Sequence, residues 1–133
     1  MQSLTVSIHS FSYHLHGIPE DAHGHKGGFV FDCRCLPNPG RQDFFAQLTG
    51  LDPQVAEFLS SKAEVQNFLV SIFQMIEVAI GNYVTRGFEH LMVSFGCTGG
   101  QHRSVYCAQQ LAAHLRARGV HVEVQHHSLH HEA

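Results

Sequence analysis

The chain has 133 residues, a hydrophobic share of 44% and a formal charge of -3, from eight Lys and Arg against eleven Asp and Glu. This suits one globular domain, argues against a strongly basic nucleic-acid binder, and offers no apolar run of the roughly 18 residues a membrane span needs. No basic-then-apolar secretory leader opens it, and Cys33, Cys35, Cys97 and Cys107 are not spaced as a disulfide framework, so a cytoplasmic location is expected.

Leu4 to Phe11 alternates, with Leu4, Val6 and Ile8 on one face and Thr5, Ser7 and His9 on the other, which predicts a strand. A long loop rich in Gly and His then runs to Gly28. Phe29 to Cys35 is predicted as the second strand, with Asp32 and Arg34 on one face and Cys33 and Cys35 together on the other. Charge in an apolar strand must be paired or used. Asp32 and Arg34 are therefore either a structural pair or part of a site, and Asn38, in the rigid Leu36-Pro37-Asn38-Pro39-Gly40 turn, is either a turn former or a ligand contact.

Phe44 to Leu48 predicts a short helix ending near Gly50. Asp52-Pro53 reads as an N-cap with proline at the first helical position, opening a helix through Leu59. Ser61 with Glu64 reads as a capping box. A long helix should follow from about Lys62 to Tyr83, with Val65, Phe68, Leu69, Ile72, Phe73 and Ile76 on its core face. Phe88 to Phe95 predicts a third strand. The next helix starts near Arg103 and stops at Gly119, and Val120, Val122 and Val124 alternate as a fourth strand. A strand–helix–strand unit of this kind implies parallel pairing. The expected fold class is α/β: one domain over 1–133, with a small mixed or parallel sheet of about four strands flanked by helices.

The chemistry gathers in Gly96-Cys97-Thr98-Gly99-Gly100-Gln101-His102-Arg103-Ser104, between the third strand and the following helix. Glycines let such a loop curl with its N–H groups inward. A helix N-terminus adds unpaired donors and a positive dipole end. Arg103 offers a planar fork suited to phosphate, and Thr98 and Ser104 offer hydroxyls. Parallel sheets bind ligands at the carboxyl ends of their strands, where this loop falls. The loop is thus predicted to bind a phosphate or a similar oxyanion. Cys97 and Arg103, five residues apart and followed by Ser104, also match the loop of cysteine-dependent phosphatases, with Asp32 or Asp43 as the general acid. A buried, inert Cys97 is the third alternative. The 13 histidines include His23, His25, His126, His127, His130 and His131, without the regular spacing of a zinc finger, so no metal or cofactor is expected.

The chain resembles the C-terminal domain of the RapZ family of RNase adapter proteins. The resemblance is carried by Ile8-His9-Ser10-Phe11-Ser12, Gly17-Ile18-Pro19, Phe31-Asp32-Cys33-Arg34-Cys35-Leu36-Pro37-Asn38-Pro39, Thr49-Gly50-Leu51-Asp52 and Gly96 to Tyr106, in that order over about Ile8 to Ser128. It implies a regulatory domain that senses glucosamine-6-phosphate, binds a small RNA and presents it to an endoribonuclease, with no catalysis of its own and with homo-oligomers in the family. On that basis Cys97 to Ser104 hold the phosphate, and Arg34, Asn38 and Ser10 are candidates for the sugar or for residues that support the loop from behind. The family loop commonly has Lys where this chain has Gln101, and the family's basic end is here rich in neutral histidine. The family's kinase-like N-terminal domain has no counterpart, since no Gly-rich loop with Gly-Lys-Ser/Thr occurs, and its nucleotide binding is not carried over. RNA binding would draw on Arg34, Arg41, Arg103, Arg116 and Arg118.

Overall fold

The fold is given by a computed structural model that describes residues 3–129. Four strands, β1 (Thr5–Ser12), β2 (Phe29–Asp32), β3 (His90–Cys97) and β4 (His121–His126), form one sheet in the order β2-β3-β1-β4. Every pairing is parallel, so the fold is α/β as expected. The two central strands, β1 and β3, are the most buried, as strands with a neighbour on each side should be. Val6, Ile8, Leu91, Val93 and Phe95 are all buried.

Three α-helices complete the fold: α1 (Pro53–Ser60), α2 (Ala63–Thr85) and α3 (Arg103–Arg116). The core is built from one stripe of each, including Val55 and Leu59, then Val65, Leu69, Ile72 and Ile76, then Ala108, Leu111 and Leu115. These recur at helical spacing, which is why the sequence pattern finds them. The other face of the sheet is crossed by the Gly- and His-rich segment before β2, where His23 stacks on His90. Because all strands run the same way, Ser12, Asp32, Cys97 and His126 come to one edge.

Four local expectations are corrected. β2 stops at Asp32, because the Asp32 carboxylate accepts the Arg34 N–H at 2.9 Å and turns Cys33–Cys35 into a 3-10 helix. Cys33 is consequently buried and Cys35 exposed, rather than the two sharing a face. The Phe44 to Leu48 helix is reduced to a 3-10 turn over Asp43–Phe45. The Ser61–Glu64 capping box does not form: Lys62 occupies the cap position, and Ser61 Oγ donates back to the Phe58 carbonyl at 2.7 Å. Finally, α2 is long and apolar enough to cross a membrane by length and composition, with a window of mean hydropathy 1.4. No unbroken apolar run marks it in sequence, because Gln, Asn, Ser and Gly and the charged Glu77 interrupt it.

Among the described residues no group of three or more His, Cys, Asp or Glu is arranged to hold a metal. His130 and His131 lie outside the described residues. His9 and His127 instead meet directly, Nδ1 to Nε2 at 2.8 Å. Burial, then the facing His127, pushes the His9 pKa down; burial, then nearby His16, does the same to His127. Unfolded histidine titrates near 6.5, so below that pH the unfolded chain takes up more protons than the folded one. The stability from this pair is full above about pH 6.5 and falls as pH drops through the lower folded values. Thermal melts at pH 7.5 and 5.5 should therefore show a loss on acidification, and His127→Gln should shrink that loss.

Candidate functional site

The loop after β3 is anchored on both sides. At its start, Tyr13 N–H donates to the Cys97 carbonyl at 3.0 Å, and Ser12 Oγ donates to the Thr98 carbonyl at 2.5 Å. Ser12 Oγ also accepts the N–H groups of His14 and Leu15, so one serine ties the end of β1 to the loop. Gly100 takes φ +67°, and a Cβ there would fall 2.7 Å from Ser128 and 2.9 Å from the Ser12 nitrogen. Only glycine fits this position, for both reasons.

At its far end, the side chains of the loop point into the 42–50 segment. Gln101 Nε2 donates to the carbonyls of Ala46 and Leu48 at 2.9 and 2.6 Å. His102 Nε2–H donates to the Phe45 carbonyl at 2.9 Å. Gln101 thus holds a neighbouring turn by its amide. Gln101→Ala should lower stability by about 1 kcal/mol, the net worth of one to two neutral hydrogen bonds, and chemical denaturation would read it.

With the side chains occupied in this way, the main chain of the loop is left open. Among the described residues, the N–H groups of Thr98, Gly99, Gly100, Gln101 and His102 have no hydrogen-bond partner. His102 caps α3 without a side-chain hydrogen bond, so the helix end is also open. Beside it lies Arg103, only 5% exposed. One of its nitrogens, Nη1, donates to the carbonyls of Arg34 and Leu36 at 2.9 and 3.0 Å. Among the described residues no carboxylate forms an ion pair with it. A buried guanidinium held by carbonyls, next to main-chain N–H groups without partners at a helix N-terminus, is a locally electropositive arrangement.

A cleft of about 230 Å³ opens at this point. Asn38, Cys97, Thr98, Gly99, Gln101, His102 and Arg103 from the predicted set line it, together with Gly40 and Ala46. Gly40 and Ala46 were not legible as site residues, and nor was the Ser12 anchor, since each depends on a contact distant in sequence. Asn38 caps the 3-10 turn Pro39–Arg41 through its side-chain oxygen, which accepts the Gly40 N–H at 2.9 Å, so it both forms the turn and borders the cleft.

Four predicted residues do not line the cleft: Gly100, packed against Ser12 and Ser128, and Ser10, Arg34 and Ser104. Ser10 is fully buried; its Oγ donates to His126 Nδ1 at 2.6 Å, and His126 Nε2–H donates on to Gln109 Oε1 at 2.9 Å. Arg34 is a bidentate partner of Asp32, at 2.9 and 2.7 Å, and lies over the Tyr13 ring at 3.8 Å. Ser104 is buried behind the loop, where Cys97 S–H donates to its Oγ at 3.2 Å and its own N–H donates to Cys97 Sγ at 3.4 Å. Hydrogen bonding from Arg34 above all holds the Asp32 carboxyl below its usual range, with a further contribution from the charge of Arg103.

The arginines named for RNA do not form one patch. Arg103 is buried, Arg34 is paired with Asp32, and Arg118 with Glu77 at 3.0 Å. Arg116 and Arg118 lie at the other end of α3, about 20 Å along its axis from Arg103 at 1.5 Å per residue.

The fold and site together define a parallel α/β domain with an open amide loop at the carboxyl edge of its sheet. Comparison with known proteins gives the family. The family model described as the RapZ C-terminal domain matches residues 4–130, and the chain belongs to that family. RNase adapter protein RapZ from Pectobacterium carotovorum subsp. carotovorum is 42% identical over 128 residues. The proteins of the same name from Klebsiella pneumoniae subsp. pneumoniae and Escherichia coli O139:H28 match to the same extent. In each case 96% of this chain is covered but only 43% of the relative, so the chain spans less than half the length of the relatives it matches.

Proposed function

We propose that the Cys97 to Ser104 loop binds the phosphate of a small metabolite, an amino-sugar phosphate such as glucosamine-6-phosphate, and that the domain is a regulatory adapter that makes this signal available to an RNase partner. The observation that carries the reading is Arg103, buried and with no ion pair among the described residues, beside five main-chain N–H groups without partners there. A phosphate at that position would accept several N–H groups and pair with the free face of the guanidinium. Small-RNA binding belongs to the same proposal on the strength of the adapter name its relatives carry. A gel shift at low salt should show a retarded complex that weakens steeply as salt rises, and no retarded species would remove this part.

Hydrolysis gains no support from the geometry. The Cys97 sulfur is buried and engaged by Ser104. Asp32 is held ionised by Arg34, which is the wrong state for a group that must give up a proton to a leaving group.

Phosphorus NMR of glucosamine-6-phosphate with the purified chain tests both halves at once. A shifted or broadened sugar-phosphate signal with no inorganic phosphate appearing is the expected result. An unperturbed spectrum would remove this ligand. Growth of an inorganic phosphate signal that Cys97→Ser abolishes would replace binding by catalysis.

A further inference from the structure

α2 is the most apolar of the three helices, yet only 17% of its most apolar stretch is buried. One side of it packs on the core through Val65, Leu69, Ile72 and Ile76. A second stripe, Glu64, Asn67, Ser71, Met75, Val78 and Asn82, keeps helical spacing and faces solvent. Met75 is 46% exposed and Val78 66%. Beside the first half of this stripe runs an open groove of about 520 Å³, lined by Phe68, Ile72 and Met75 of α2 and by Phe31 and Leu36 across from them. A continuous exposed strip of this kind marks an interaction surface.

The stripe is complementary to itself. An antiparallel copy, turned about the midpoint between Gln74 and Met75, sets Asn67 opposite Asn82 and Ser71 opposite Val78. By the two-fold symmetry each pairing occurs twice. The small Ser71 leaves room at the groove for the branched Val78, and the amide of Asn67 meets that of Asn82. The charges match in the same arrangement. Glu64 and Arg86, at the two ends of the helix, form no ion pair among the described residues. Their distances from the midpoint differ by only about 1.5 Å along the axis, one residue's rise, so Glu64 of each copy reaches Arg86 of the other. Glu77, the other acid on α2, is off the stripe and engaged by His114 and Arg118.

The area suffices. The stripe is about 35 Å long and about 10 Å wide, and with the groove it covers about 500 Å² per copy. Two copies together cover about 1,000 Å², the threshold of a specific interface, so association in the micromolar range is expected. A lipid surface is a poor occupant, because the side chains of Asn67 and Ser71 would lose water without gaining a partner.

We infer that this face of α2 seats a second copy of the chain in an antiparallel two-fold contact, with Val78 of each copy against Ser71 of the other and Glu64 paired with Arg86. The contact is independent of the anion loop.

Sedimentation of the full chain from about 5 to about 200 µM tests it, a range that brackets a micromolar dimer. A monomer–dimer equilibrium is expected. Val78→Asp should hold the chain monomeric throughout with an unchanged melting temperature, since the side chain is exposed in the single copy. Glu64→Arg and Arg86→Glu should each weaken the dimer about tenfold, because two attractions become two repulsions. An equal mixture of these two variants should dimerise like the wild-type chain, since only in the mixed dimer does every Arg again face a Glu. A wild-type chain that stays monomeric at the highest concentration overturns the inference. So does a dimer that Val78→Asp leaves intact, and so does a mixture no stronger than either variant alone.

Discussion

The Arg103→Ala protein is expected to bind inorganic phosphate or glucosamine-6-phosphate at least tenfold more weakly than the wild-type chain. A hydrogen bond to a charged group contributes about 1.5–3 kcal/mol, which corresponds to between tenfold and a hundredfold in dissociation constant. Arg103 has two tasks that must be separated. Its Nη1 holds the carbonyls of Arg34 and Leu36, so its loss also loosens the turn that leads to Asn38. Arg103→Lys keeps the charge but not the planar fork that serves carbonyls and phosphate at once. Isothermal titration of both variants, with a melting curve for each, makes the distinction. A stable Arg103→Ala chain with undiminished affinity would remove the site. Loss in the alanine variant with partial recovery in the lysine variant assigns the effect to the positive charge.

Gly50→Ala should destabilise the domain by about 3 kcal/mol, at the upper end of what overpacking a tight contact produces. The turn Thr49-Gly50-Leu51-Asp52 is wound by the Asp52 carboxylate, which accepts the Thr49 N–H at 2.7 Å, and Gly50 N–H donates to the Gln101 carbonyl at 2.8 Å. This presses Gly50 onto the first turn of α3. A Cβ there would fall 2.5 Å from the His102 oxygen and from the Tyr106 nitrogen, which are joined by a hydrogen bond at the start of the helix. Both are main-chain atoms that cannot swing aside. The melting temperature should fall by roughly 10 °C for a chain of this size. Gly81→Ala in α2 is the control: nothing lies within 4 Å of its Cβ position, and alanine there should stabilise by up to about 1 kcal/mol. Equal melting temperatures for Gly50→Ala and wild type would refute the contact.

Much of this architecture was legible because it rests on local period. Alternation marked β1, the apolar stripes marked α2 and α3, and the glycines between β3 and α3 marked the loop. The errors share a different cause. β2 was read too long because one capping hydrogen bond from Asp32 overrides the alternation of the next three residues. The capping box failed because Ser61 prefers the carbonyl of the preceding helix. Ser12, Gly40 and Ala46 were missed, and which alternative Ser10 and Arg34 follow was left open, because their roles are set by partners brought close only in the folded chain. Ser12 and Thr98, for instance, are 86 positions apart. Gln101 reads in sequence as a lost lysine; only its two carbonyl contacts show what it does instead.

The strand order has a consequence for how the domain comes into being. β1 is made first but pairs only with β3 and β4, and the sole neighbour of β2 is β3. No two strands can zip as a hairpin. A chain growing from the ribosome therefore holds none of this sheet until residues 90–97 emerge, and the glycine-bearing loop follows directly behind them. Closing such long loops before any pairing is gained makes for slow folding. Fragments ending at Gly87 should keep at most helical structure, and the loop should acquire its shape in the same step that assembles the sheet.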